Sequence, residues 1–171
     1  MKRIITATVQ NRSGVLNRVT GLLQRRQFNI ESISVGQTEI EGISKMTLVV
    51  EVEDEQRLEQ VTKQLNKQID VLKVSDITDK AIVARELALI KVASSSQLRS
   101  EINGVIDPFR ASIIDVSKDS IAIQVTGKPE KIDALIELLK PYGIKEIART
   151  GLTAFLRGHQ PQVAELNSFI V

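Results

Sequence analysis

The chain has no cysteine and no tryptophan, and only one histidine and one tyrosine among its 171 residues. Without cysteine it can form neither disulfides nor thiolate metal sites, and it has no thiol nucleophile, which suits a reducing, cytoplasmic setting. The lone histidine, His159, lies between Gly158 and the nearby Pro161 and reads as solvated. One histidine does not make a metal site, so no metal is expected. Long apolar runs are missing too. The opening stretch MKRIITATVQ is interrupted by Thr6, Thr8 and Gln10, so it lacks the apolar core of a signal peptide. Nowhere do about 18 apolar residues follow one another, as a membrane-spanning helix requires.

Charge of one sign is also scarce. The 23 basic and 21 acidic residues are spread evenly, and the longest basic cluster is Arg25–Arg26. Nucleic-acid binders concentrate Lys and Arg on one face, so neither nucleic acid nor a membrane is an expected partner. Ser13 and Ser94 to Ser96 have no neighbouring base that would activate a hydroxyl. Paired carboxylates do not occur in a catalytic arrangement either. What remains is an ordinary balance of 42% hydrophobic and 26% charged residues. With so few aromatics, the core must be built from Ile, Val and Leu.

Those aliphatic residues are patterned. Ile5, Ala7 and Val9 alternate with Ile4, Thr6 and Thr8 over residues 3–10, the period of a strand. Asn11-Arg12-Ser13-Gly14 interrupts it, and Val15, Val19, Leu22 and Leu23 follow at helical spacing. Strands are predicted at Phe28 to Val35, around Met46 to Val52 and at Val71 to Ile77, with a helix after the N-cap Asp54 carrying Leu58, Val61 and Leu65. The first half therefore reads β-α-β-β-α-β.

The second half repeats this order. Strands are expected at Glu86 to Ala93, Ala111 to Val116, Ser120 to Thr126 and Ile144 to Arg149. One helix carries Leu98, Ile102, Val105, Ile106 and Phe109, ending or bending at Pro108. The other starts near Pro129 and carries Ile132, Leu135, Ile136 and Leu139. Two copies of one order predict an α+β protein of two ferredoxin-like βαββαβ domains. The expected divisions are a first domain at 1–77, a linker at 78–85, a second domain at 86–158 and a tail at 159–171. Apolar residues on both strand faces imply that the sheet is covered by another, hence oligomerisation.

The segment richest in chemistry is Asn11-Arg12-Ser13-Gly14-Val15-Leu16. The first amides of a helix have no intrahelical partner, and the helix dipole favours negative charge there. Gly14 permits a left-handed turn and a close backbone approach. The carboxylate of a free amino acid suits the amides of Gly14, Val15 and Leu16, and the Asn11 carbonyl suits its ammonium group. An ordinary turn with Ser13 as helix cap is the competing explanation. Asn29, in Phe28-Asn29-Ile30-Glu31-Ser32, either satisfies its own turn or completes a polar pocket at a subunit contact.

The run from Asn11 to Glu39, NRSGVLNRVTGLLQRRQFNIESISVGQTE, resembles the regulatory (small) subunits of acetolactate synthase, also called acetohydroxyacid synthase. The likeness continues in KQIDVLKV (Lys67 to Val74), RELALIKV (Arg85 to Val92), FRASIIDV (Phe109 to Val116) and EIARTG (Glu146 to Gly151). It covers roughly residues 1–158, whereas a generic ACT regulatory domain would account for 1–77 alone. The resemblance implies an N-terminal ACT domain that dimerises, a C-terminal ACT-like domain, and no catalytic site or cofactor of its own. It also implies activation of a separate, thiamine-diphosphate-dependent catalytic subunit and feedback inhibition by valine. Asn11, Gly14, Val15 and Leu16 match the effector loop of one chain in that family, and Asn29 and Ile30 match the contribution of the other. Residue types alone leave valine, leucine and isoleucine as alternatives, since one methylene in an apolar pocket is worth only about 1–3 kcal/mol.

Two other classes compete. Val9-Gln10 and Gly14-Val15…Arg18 faintly echo the anion-cradling loop of acylphosphatases, but with three extra residues between the pieces. A ligand-responsive transcription factor would need a recognition helix or a basic arm, and neither is present.

Overall fold

The alternation of Ile5, Ala7 and Val9 sets the first strand, and the computed structural model, which describes residues 1–158, builds the domain around it. β1 (Lys2–Gln10) leads into α1 (Val15–Arg25), β2 (Asn29–Gln37), β3 (Ile43–Glu51), α2 (Glu55–Asn66) and β4 (Val71–Asp76). The strands form one antiparallel sheet in the order β2-β3-β1-β4. Asp54 caps α2, its carboxylate accepting from the Arg57 amide at 2.7 Å. Ile5, Leu23, Met46, Leu48 and Leu65 are almost wholly buried between helices and sheet. Such side chains contribute roughly 1.5–3 kcal/mol each.

The second unit has the same plan: β5 (Ile82–Ala93), α3 (Arg99–Ile106), β6 (Ser112–Val116), β7 (Ser120–Gly127), α4 (Pro129–Leu139) and β8 (Ile144–Arg149). Its strand order, β6-β7-β5-β8, is that of the first sheet. Even the irregularities recur. The register slips between Ile30 and Ser32 on β2, and between Ile113 and Asp115 on β6. It slips again near the end of the central strand in both units, at Thr8/Val9 and at Lys91/Val92. Pro108 ends α3 in a short 3-10 turn, as its missing amide requires.

Three expectations need correction. β5 begins at Ile82, inside the predicted linker, because Glu86 occupies an inward position where alternation would demand an apolar residue. Its buried carboxylate is gripped by Arg149 through Nε and, at 3.0 Å, Nη2. A ninth strand, β9 (Thr153–Leu156), follows where no periodicity is evident. Residues 84–151 form the second compact unit, and the chain from Leu152 to Gly158 groups with the first. The amide of Ala154 reaches Thr47 Oγ1 at 3.4 Å, and Ser34 Oγ meets Thr153 Oγ1 at 2.7 Å.

The last correction concerns the open face of the first sheet. It is mixed rather than apolar: Thr6, Thr8, Lys45, Thr47 and Ser75 line a cavity there together with Ile77, Phe155 and Leu156. Burial lowers the pKa of Lys45 despite the nearby Glu39. His159 and the expected tail lie outside the described residues.

Candidate functional site

Gly14 adopts φ +82°, the left-handed conformation that the Asn-Arg-Ser-Gly turn suggests, and it is the N-cap of α1. Ser13 does not cap the helix, since no side chain hydrogen-bonds to its first turn. The Val15 amide closes the turn onto the Arg12 carbonyl at 3.3 Å, and the Arg18 amide bonds to the Gly14 carbonyl at 3.0 Å. Among the described residues, no hydrogen bond uses the amides of Gly14 and Leu16, so these two donors remain open at the positive end of the helix.

The turn is held from both sides. The Asn11 amide donates to the Gly42 carbonyl at 2.7 Å, and the Gln10 amide to the Asp70 carbonyl at 2.8 Å. Arg18, one turn into α1, pairs with the Asp70 carboxylate. That pair is lopsided: the Asp70 side chain is 12% exposed and that of Arg18 47%. The Asn11 side chain points to solvent, Val15 is buried, and Leu16 is 45% exposed.

Asn29 and Ile30 are elsewhere. Asn29 pairs with Glu51, and Glu51 with Lys2, whereas Gln10 pairs with Ile43. The two halves of the expected site therefore sit at opposite ends of one sheet, roughly 25 Å apart at about 3.3 Å per residue. Ile30 packs on the core, and Asn29 lines a cleft with Arg26, Glu53 and Arg57. One chain does not bring these residues together. β2 is an edge strand, however, and its far end, Gln37 opposite Ser44, lies beside the Asn11 turn.

Sequence motifs do not pair Arg18 with Asp70, because they are 52 positions apart. The weak signal is that Arg18 falls one turn after Gly14 on an otherwise apolar helix face. No group of three or more metal-binding side chains occurs among the described residues. No helix among them is long and apolar enough to cross a membrane.

A model for the AHAS small subunit-like ACT domain matches residues 5–73, and one for the small subunit of acetolactate synthase matches residues 85–158. The chain is 69% identical over 164 residues to the acetolactate synthase small subunit of Bacillus subtilis, covering 96% of this chain and 95% of that one. The chain belongs to the acetolactate synthase small-subunit family. The small subunit of Mycolicibacterium smegmatis is 48% identical over 154 residues, with 90% of each chain covered. The crystal structure of the acetolactate synthase small subunit from Thermotoga maritima superposes with a TM-score of 0.84. That protein is 38% identical, and the match covers 94% of this chain and 99% of that one. The fold is the pair of ACT-like, ferredoxin-type domains that the repeat implies.

Proposed function

We propose that this small subunit is the valine sensor and activator of acetolactate synthase, working as a homodimer in the cytoplasm with no cofactor of its own. It associates with the thiamine-diphosphate-dependent catalytic subunit, raises its activity, and transmits inhibition when valine binds. The observation that carries the reading is the separation of the half-sites. Open amides at Gly14 and Leu16 suit a carboxylate, and Asn11 suits an ammonium group, but Asn29 and Ile30 are at the wrong end of the same sheet. Antiparallel pairing of β2 with β2 of a second chain would carry that chain's Asn29 to the Asn11 turn. Leu16 and Val35, both 45% exposed, would gain cover there.

A free amino acid is a better match than a phosphoryl substrate. Arg18, the guanidinium that the faint acylphosphatase-like pattern would put to use, is engaged by Asp70. Calorimetric titration with valine, leucine and isoleucine tests the effector, and acetolactate formation by the catalytic subunit tests the activation. Saturable valine binding, stimulation by the chain and reversal by valine are expected. No heat with any of the three amino acids would refute the sensor.

A further inference from the structure

Asp70 puts a buried carboxylate close behind a turn expected to receive another carboxylate. Its side chain is 12% exposed, and its own carbonyl accepts from the Gln10 amide at 2.8 Å, which fixes it to the strand end that leads into the turn. Between Asp70 and Gly14 stands the Arg18 guanidinium. Its Nη2 bonds to Asp70 Oδ2, and its Nη1 lies 3.2 Å from where a Cβ on Gly14 would be. The two ends of one planar cation thus face the buried acid and the backbone of the effector turn.

We infer that Arg18 is a positioning residue for the effector's carboxylate, acting as an electrostatic shield that cancels Asp70 at the Gly14 turn. The inference rests on the amino-acid site proposed above. Asp70 helps hold the loop in place through its backbone, and its side chain anchors the guanidinium. Uncancelled, that side chain would repel a second anion approaching the turn at the protein surface. A pair of like charges in such a setting interacts strongly enough to change an affinity by an order of magnitude.

A shield and a mere brace make different predictions in the full-length protein. Arg18→Met keeps length and apolar stem but removes the charge. Valine affinity, read by calorimetry, should fall on the order of tenfold. Adding Asp70→Asn to that variant removes the anion as well and should restore affinity to within about threefold of wild type. Asp70→Asn alone should bind valine at least as tightly as wild type, and it provides the test if Arg18→Met does not fold. The inference is overturned if Arg18→Met binds like wild type, if the double variant stays as weak as Arg18→Met, or if Asp70→Asn alone loses affinity. Wild-type protein that binds no branched-chain amino acid would instead overturn the site reading beneath it.

Discussion

Gly14 holds a backbone conformation, φ +82°, that costs an L side chain about 1–2 kcal/mol. A Cβ there would meet only the tip of Arg18, a side chain able to move aside. Gly14→Asp is therefore expected to fold with a modest loss of stability and to lose valine binding, because its carboxylate would occupy the place of the ligand's. Calorimetry and thermal unfolding of the variant check the two halves of that expectation. Asp76 offers a second residue-scale prediction. Burial pushes its pKa up, but hydrogen bonds from the Thr78 side chain and amide, and from Arg3, outweigh it and leave the carboxyl below its ordinary range. Arg3 Nε reaches it at 2.9 Å and Thr78 Oγ1 at 2.6 Å. A depressed carboxyl pKa stabilises the fold above the ordinary carboxyl range, and that contribution is lost as acid takes the pH down through the lower folded value. Asp76→Asn should flatten the decline of stability with acid, as read by denaturant unfolding across a pH series. At this scale the sequence was informative where chemistry is local, as at Gly14 and Asp54. It was silent on Arg18–Asp70 and Glu86–Arg149, partners separated by 52 and 63 positions.

Among the elements, β2 combines an unpaired edge with a bulge at Ile30/Ser32 and an exposed Val35. Bulges re-aim side chains, and this one immediately follows Asn29 and Ile30, the proposed second half-site. A lysine on an edge strand opposes pairing with another edge. Val35→Lys is accordingly expected to shift the protein toward monomer in sedimentation and to weaken valine binding in parallel. Loss of dimer with undiminished binding would mean that the site lies within one chain. Most elements were legible because their apolar residues recur at two or at three to four positions. β5 began earlier than expected because a buried Glu86 replaced an apolar residue in the pattern, and β9 was missed because Leu152 and Ala154 offer too few repeats to establish a period.

For the whole molecule, the duplication extends to strand order and bulge positions, yet the two first-helix turns differ. Where the first unit has the left-handed Gly14, the second has Ser94-Ser95-Ser96-Gln97, and its α3 N-cap is Leu98 at φ −82°. No glycine-lined turn is formed there. One valine per chain is the expected calorimetric stoichiometry; two would give the second unit a site of its own.

The division of the proposed half-sites between opposite ends of a sheet has a consequence for how the proposed sensor reads its surroundings. If each pocket exists only where two chains meet, an effector that fills it binds the dimer and not the monomer. By mass action, such a ligand draws chains together, and its apparent affinity rises with the concentration of the protein itself. In dilute solution valine would then act first as an assembly factor, so titrations at different protein concentrations should give different midpoints that converge once the dimer is saturated.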